Sequence, residues 1–566
     1  MKTRSVLVRC PGFPFTLRSL MPSRHAAALA ASLLESGHET VVCDFGTVET
    51  LDRLFCDGLR TVAQPIAGGL LENPAEEPAP TVSTLWQWRN FDRALHASQE
   101  SLCAGIAAGI AAERAIDFVA FEIDTASEVW IALSIAGHLA EAAPSIRLVA
   151  VGAFAERYGG SLIQVTDLFD CACLGDAEWT LVQWAENIDR PESWRSLPNL
   201  AYMLSDHAHV THRPNDLDID ALPLPCYAPE IYPALAQAGK LKLFDVEDSR
   251  GCAALCHRCE QPARATNGFR MRPAASVCDE MASVVESCDS RAFLLSSPGT
   301  SSAHAEALAH EILARRQQVC YGRTGQVRHM DACGFSALKK SGCRAVSFRI
   351  DTGSQRLLED YYGRSFSVTQ AEQLLRACAE SGIFTAASFT YPCPADDYHT
   401  EAETLRLIER TRPRAASLGL PEVIPGSAWY ERPADFGFAL DTRRYVQNVA
   451  RGARSFFSLL PFCRPRPYLM ASYSWAQAVR KNHELRGQVS ALGIATGLSG
   501  PLALVAGLAG HGAREEEFSG LLRYQLFVGA VSCLADTLAR FNDQAAARVG
   551  AMGLKPFVPD LKAVGN

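Results

Sequence analysis

The sequence predicts an α/β protein in three parts: a doubly wound parallel sheet, a second α/β unit read as a partial (β/α) barrel, and a mainly helical carboxyl-terminal domain. Three observations carry that reading. Over the first two hundred residues, short β-branched runs alternate with stretches of helical spacing, the pattern of parallel strands joined by crossover helices. The alternation stops at a polar, proline-containing stretch and then resumes. Beyond about Glu431 it ends and helical periodicity takes over. At 566 residues the chain is also too long for one ordinary core.

The elements follow in order. Ser5 to Arg9 is a β-branched run, and Arg24 to Gly37 has helical spacing with a glycine stop before the strand Glu39 to Asp44. Asp117 to Glu122, Ile146 to Gly152 and Cys171 to Gly175 are further buried-strand runs. Between them lie the helices Ala126 to Ala142 and Glu178 to Glu186. Ligands of open parallel sheets sit at the carboxyl ends of the strands, and here those ends carry Pro11-Gly12, Asp124-Thr125, Gly152-Ala153 and Gly175-Asp176. From about Ser205 to Leu235, Asp216-Leu-Asp-Ile-Asp220 and Leu222-Pro-Leu-Pro225 break any long periodicity. The domains are accordingly 1–204, a linker 205–240, 241–430 and 431–566.

Composition narrows the partners. Charged residues make up 20%, apolar residues 48% and the net charge is −8, with no long basic run, so neither nucleic acid nor a membrane surface is expected. The amino-terminus lacks the apolar stretch and small-residue cleavage site of a secretory signal, so a cytoplasmic protein is expected. Ala491 to Ala513 carries no charge and is long enough to cross a bilayer, but glycines and Pro501 interrupt it. A buried helix pair joined near Ser499-Gly500-Pro501 fits it better. The 19 cysteines are read as thiols in a reducing compartment.

Three of them stand apart. Cys252, Cys256 and Cys259 have the spacing C-x-x-x-C-x-x-C directly after the strand-like Leu241 to Val246. Three thiolates on one tight loop each hold one iron of a [4Fe–4S] cluster and leave the fourth open to another ligand. With 19 cysteines in the chain, that spacing arises by chance with a probability of about 0.02. Zinc on the three cysteines plus His257 is the competing reading, at poor spacing for a tetrahedral site.

The loop Asp248-Ser-Arg-Gly-Cys252 resembles that of the radical S-adenosylmethionine enzymes, and the motif order resembles their cobalamin-binding branch. That order runs through Gly268-Phe-Arg-Met-Arg272, Gly342-Cys343, Ile350-Asp-Thr-Gly-Ser-Gln355, Gly382-Ile383, Phe389-Thr-Tyr-Pro-Cys-Pro394 and Pro425-Gly-Ser427. The Gly152 loop, Gly175-Asp-Ala-Glu178 and the Leu222-Pro-Leu-Pro225 linker extend the likeness to roughly residues 5 to 430. The resemblance implies a Rossmann-like cobalamin domain, a radical SAM barrel and a substrate-side helical domain. Its cofactors would be a [4Fe–4S] cluster on the three cysteines, S-adenosylmethionine and cobalamin. No D-x-H-x-x-G motif occurs in the first domain, so cobalamin is expected base-off with no histidine ligand. Cofactor contacts fall on Pro11, Gly12, Asp124, Thr125, Gly152, Ala153, Phe154, Gly175, Asp176, Glu178, Ser296, Arg349 and Asp351.

Two positions depart from the family pattern. Arg258 stands where an aromatic is usual before the last cysteine, and Ser296-Ser-Pro-Gly-Thr300 replaces a strand end usually rich in acids. With the Arg9-Cys-Pro-Gly-Phe-Pro14 start, these departures resemble the tryptophan-methylating members of thiopeptide biosynthesis. The resemblance implies methyl transfer through methylcobalamin to C2 of L-tryptophan, an electron-rich carbon that needs no substrate radical. Glu280 and Glu260 are candidates for the fourth iron. Tyr321, Arg323 and Tyr391 are the candidate catalytic residues, with Arg349 and Tyr430 beside them in a substrate pocket against the helical tail. A small-molecule substrate and an external electron donor are the expected partners. Competing readings are radical ring rearrangement or cyclisation, methylation of an sp³ carbon, and a cofactor-sensing binding protein.

Overall fold

The computed structural model describes residues 2–546 except 14, 64–81, 114, 212–216, 237–238, 253, 260–268, 298, 328–333, 455–466, 499–502, 506–507, 509–521 and 523–524. Pro14, Glu260, Gly268, Pro298 and the joint Ser499-Gly500-Pro501 lie outside the described residues.

The first sheet contains β1 (Arg4–Arg9), β2 (Glu39–Asp44), β3 (Phe118–Glu122), β4 (Arg147–Val151), β5 (Cys171–Cys173), β6 (Leu200–Leu204) and β7 (His207–Thr211), in the order β2-β1-β3-β4-β5-β6-β7. The first five are parallel, and β6 and β7 close the sheet as an antiparallel hairpin. The order reverses at β1, as in a doubly wound sheet. Alternate side chains of β1 serve opposite faces: Val6 and Val8 enter one apolar core, Leu7 the other. Both faces are therefore covered by helices, which explains the nearly continuous apolar runs of β1 and β3.

Helix Ala126–Ala142 starts and stops where the sequence predicts, with Thr125 as its N-cap and the Thr125 N–H donating to Glu128 at 3.0 Å. The hairpin continues the first domain to Thr211, past the expected boundary at residue 204. Ser205, at φ 55°, turns the chain back there, and polarity hid that turn as the start of a linker. Described residues of the linker are fastened to the first domain: the Ile231 carbonyl accepts from the Val42 N–H at 2.7 Å and Cys226 N–H donates to Ala27.

After β8 (Phe244–Val246), a two-stranded ribbon of β9 (Ser249–Arg250) and β10 (Arg270–Met271) flanks the cysteine loop. The second sheet then adds β11 (Ala292–Leu295), β12 (Cys320–Gly325), β13 (Cys343–Asp351), β14 (Phe384–Thr390) and β15 (Ala415–Gly419). Its order is β15-β14-β13-β12-β11-β8, all parallel. Each strand lies beside its predecessor, so right-handed crossovers put the connecting helices on one face, as in an open (β/α) barrel. Phe293, Tyr321, Val346 and Phe348 face those helices. The opposite face, at Leu294, Cys320, Ala345 and Ala386, shares a core with Leu504, Val505 and Leu508.

That last contact packs the described residues Leu504, Val505 and Leu508 of the uncharged segment against the second sheet. Gly322 leaves the space that Leu504 fills, a Cβ there lying 3.3 Å from the Leu504 Cβ. Among the described residues, no helix is long and apolar enough to cross a membrane. The carboxyl-terminal part includes helices Tyr445–Arg454, Trp475–Ala491 and Val531–Ala546 and a short ribbon of β16 (Phe438–Ala439) and β17 (Leu469–Met470). It does not stay on the substrate side. Leu534 and Leu538 share the core of Leu51 and Phe55, Phe527 stacks on Phe91 at 5.3 Å, and Asn542 bridges Lys240 and Lys242.

Candidate functional site

The carboxyl edge of the first sheet is shaped by one glycine. Gly152 sits at φ +97° between β4 and its helix, where an added Cβ would lie 2.7 Å from the Ile123 carbonyl oxygen. Only glycine takes that conformation without strain. The Ala153 N–H then donates to Asp124 Oδ1 at 3.0 Å, stitching the ends of β3 and β4 together. Glu128 accepts from the Asp124 and Thr125 N–H groups; burial, then the nearby Asp124 charge, pushes its carboxyl up to about 8.

Beneath this edge is a charged floor. Arg9 pairs with Asp44 at 3.2 Å, and Asp44 also receives Tyr232 Oη and Lys240 Nζ. Lys240 donates in addition to the carbonyls of Met21 and Gly46. Glu122 accepts from Ser23 Oγ and lies 3.3 Å from His25 Nδ1. Burial disfavours a charged His25, but the hydrogen bond and charge of Glu122 outweigh it and raise the imidazole to about 9.

Arginines from both sides lock the sheets together. Arg250, two residues before Cys252, holds Glu178, Asp176 at 3.0 Å and Glu247 at 2.8 Å. Arg270 takes the other Asp176 oxygen at 2.9 Å. Arg24 reaches the opposite way to Glu247 and Glu280. Burial would lift the Glu178 carboxyl, yet Arg250 outweighs it through charge and hydrogen bonding and holds it at about 2.

At the edge of the second sheet, Ser297 Oγ accepts from the N–H groups of Asp248 and Ser249, and Thr300 donates to Asp248 at 2.7 Å. The cysteine loop leaves from here. His257 N–H donates to the Tyr362 carbonyl, its Nδ1 lies 3.2 Å from the Tyr361 carbonyl, and its ring packs on Phe436. Arg258 is buried: Nη1 donates to Asp351 at 2.6 Å and to Thr390, and the guanidinium lies 5.8 Å from the Trp429 ring. Arg364 binds the second Asp351 oxygen and donates from Nη1 to Cys256 Sγ at 3.2 Å. A register shift between Arg349 and Asp351 and φ +74° at Asp351 aim that carboxylate at the two arginines. Burial opposes the charge, but Arg364, Arg258 and Arg349 hold Asp351 at about 2.

Cys256 is buried, Cys252 and Cys259 are half-buried, and none is in a disulfide. Among the described residues no three His, Cys, Asp or Glu side chains converge as a ready metal site. Metal binding and the ordering of its ligands are coupled. The donor set itself, three thiols within eight residues, fits a [4Fe–4S] cluster. It does not fit the zinc reading, because His257 is packed into the loop's anchor.

Between the two edges lies a cleft of about 770 Å³, within the range of cofactor sites. Seven of the expected cofactor residues line it: Asp124, Gly152, Ala153, Gly175, Asp176, Glu178 and Ser296. Pro11, Gly12, Thr125, Phe154, Arg349 and Asp351 do not. Phe154 packs at a tilt against Tyr158, ring centroids 4.4 Å apart, inside the core, and Gly12 makes room for Ser127. Asp176 and Glu178 are on the wall, but Arg250 and Arg270 occupy their carboxylates.

Several other expectations are corrected. Glu280 is buried and held by Arg24 and Arg272, so it is no carboxylate for the fourth iron. Tyr321 and Arg323 face the helices instead of a pocket: Tyr321 Oη contacts Ser341 Oγ at 2.8 Å and Arg323 lies 3.6 Å from Asp248. Tyr391 is buried with its hydroxyl on Glu401, and Tyr430 packs edge-on against Tyr445. Arg9, Arg24, His25, Glu122, Arg250 and Arg270, all on the cleft wall, were not singled out individually by sequence. Arg9, Arg250 and Arg270 stand within recognised sequence motifs, whereas Arg24, His25 and Glu122 offered no signal of their own.

No protein-family model and no curated protein sequence matches the chain. Solved structures do. The radical S-adenosylmethionine methyltransferase TsrM from Kitasatospora setae, with cobalamin and a [4Fe–4S] cluster bound, is similar at TM-score 0.64 and 17% identity, covering 93% of this chain and 99% of that one. The same enzyme with tryptophan substrate and an S-adenosylmethionine analogue bound gives 0.57 and 17%, over 78% and 79%. The cobalamin-dependent S-adenosylmethionine radical enzyme OxsB, with aqua-cobalamin and S-adenosylmethionine bound, gives 0.55 and 11%, over 97% and 84%. The two doubly wound and half-barrel sheets, with the cysteine loop at the mouth between them, thus give this chain the fold of the cobalamin-dependent radical S-adenosylmethionine enzymes.

Proposed function

We propose that the chain is a methyltransferase that uses S-adenosylmethionine, cobalamin and a [4Fe–4S] cluster to methylate a small molecule, with C2 of L-tryptophan as the substrate position. The observation that carries the reading is the cleft. It opens where cobalamin belongs on a doubly wound sheet, and its far wall is Ser249, Arg250 and Gly251, the residues that lead into Cys252. Cysteines 252, 256 and 259 would hold the cluster. When bound, cobalamin supplies a carrier for the methyl group and the cluster supplies an iron for adenosylmethionine.

The chain's own residues do the rest. Gly152 and Gly175 line the cleft, and their missing side chains let the strand ends pack tightly on Ile123 and Asn199. His25, the histidine on the described cleft wall, is engaged by Glu122, whose hydrogen bond and charge raise the imidazole to about 9. That engagement favours the base-off, histidine-free mode. Arg258, fixed by Asp351 and stacked on Trp429, fills the place of an aromatic beside the last cysteine and supports a site that departs from ordinary radical cleavage.

The test is anaerobic reconstitution with iron, sulfide and cobalamin, then incubation of tryptophan with methyl-labelled adenosylmethionine and mass spectrometry. Labelled methyl on the indole without deoxyadenosine is expected. Deoxyadenosine with no methyl transferred would establish rearrangement or cyclisation instead, and deoxyadenosine with a methylated sp³ carbon would establish radical methylation. No turnover with any reductant would point to the sensing role.

A further inference from the structure

Two guanidinium groups pair with a single carboxylate behind the cysteine loop, and a third lies near it. Arg258 takes Asp351 Oδ1 at 2.6 Å and Arg364 takes Oδ2. Arg349, on the same strand as Asp351, is near enough for Asp351 to attract it and for Arg258 and Arg364 to repel it. Among the described residues Asp351 is the acid that interacts with all three, so the set carries two positive charges beyond it. The excess faces the thiols. Arg364 donates from Nη1 to Cys256 Sγ at 3.2 Å, and both Arg364 and Arg349 lie close enough to Cys259 to attract its thiolate once it holds iron.

We infer that this arginine set raises the reduction potential of the iron–sulfur cluster, with Arg364 as its principal member and as the positioning residue for the Cys256 arm. The inference rests on the cluster reading proposed above. One-electron reduction takes a [4Fe–4S] core from the 2+ to the 1+ state, the electron coming from a low-potential external donor and no proton being required. The added negative charge is stabilised by nearby cations and by hydrogen bonds to the ligand sulfurs, two of the terms that set such potentials. Arg364 supplies both. Arg349 is exposed and supplies charge alone. The same arrangement explains why an arginine is tolerated between Cys256 and Cys259: Arg258 completes the cationic set while Asp351 keeps it from three-fold self-repulsion.

The experiment is an anaerobic redox titration of the full-length reconstituted protein, followed by electron paramagnetic resonance, for wild type, Arg364→Gln and Arg349→Gln. Iron and sulfide are assayed alongside. Arg364→Gln is expected to make the cluster about tenfold harder to reduce, a shift of about 59 mV to lower potential, and Arg349→Gln to move it in the same direction by less. If Arg364→Gln holds no cluster, the Arg349→Gln potential decides by the same sign. Wild-type potentials in every variant that holds a cluster, or shifts to higher potential, overturn the inference while leaving the cluster intact. Absence of a cluster from the wild type overturns the underlying reading as well.

Discussion

The two parallel sheets turn their carboxyl edges toward one cleft and furnish them in opposite ways. At the first edge the charges close on themselves: Asp176 and Glu178 are answered by Arg250 and Arg270, and Asp44 by Arg9 and Lys240. Gly152 and Gly175 stand among those pairs on the cleft wall. At the second edge the charges do not close, since three arginines share Asp351 and the remainder is directed at thiols. A wall built for a large neutral-to-polar ligand needs shape and rigidity, whereas a loop that gathers thiolates needs compensating positive charge. The difference is one of chemistry carried on a common scaffold.

The sharpest test of that contrast is to remove the thiols. Changing Cys252, Cys256 and Cys259 to Ala is expected to abolish the visible cluster absorption and the bound iron and sulfide, while cobalamin still binds at the first edge. Loss of cobalamin together with the cluster would show that the two edges are one site. Arg250→Ala comes next, because Arg250 belongs to both edges. It leaves Asp176, Glu178 and Glu247 short of a partner in a half-buried setting, a change of about 3–5 kcal/mol for a broken buried pair. A lower urea midpoint and weaker cobalamin binding are expected. An unchanged midpoint would mean that Arg24 and Arg270 hold the edges by themselves.

These long-range partners mark the limit of what was legible in the chain. Local signals read well: the stretch Ala126 to Ala142 between two strand runs is a helix to the residue, and the β-branched run Glu39 to Asp44 is β2 as written. The cysteine spacing and the oddity of Arg258 were also visible, being contiguous. Asp176 and Glu178, by contrast, look like cofactor ligands in sequence because they follow a strand, and only folding brings them to arginines more than seventy residues away. Tyr321 and Arg323 misled for a related reason. On a strand, one residue of register separates lumen from helix face, and the run Cys320 to Gly325 has no alternation to fix it.

Proton linkage offers a smaller effect at the first edge. His25 is raised from 6.5 to about 9 by Glu122, so its contribution to stability is complete below pH 6.5 and is lost as the pH rises through about 9. The shift sets an upper limit of about 3 kcal/mol. Denaturant midpoints should fall between pH 6.5 and 9 in the wild type, and His25→Gln should flatten that slope. A slope that persists unchanged in the variant would assign the proton to another group.

The smallest expected effect decides the facing of β12. Tyr321 is fully buried, with Oη 2.8 Å from Ser341 Oγ at the end of the helix Gly334–Lys340. Tyr321→Phe keeps the ring in its apolar setting and removes only that hydrogen bond, leaving Ser341 Oγ still able to donate to the Leu338 carbonyl at 2.9 Å. The cost should be about 1 kcal/mol in a denaturation midpoint, with cluster content, cobalamin binding and methyl transfer at wild-type levels. A tyrosine that served the reaction would behave in the reverse manner: stability would hold and turnover would fall by orders of magnitude. That outcome would turn β12 around, place Tyr321 and Arg323 in the lumen, and move the cationic character of the second edge from behind the cysteine loop into the substrate's path.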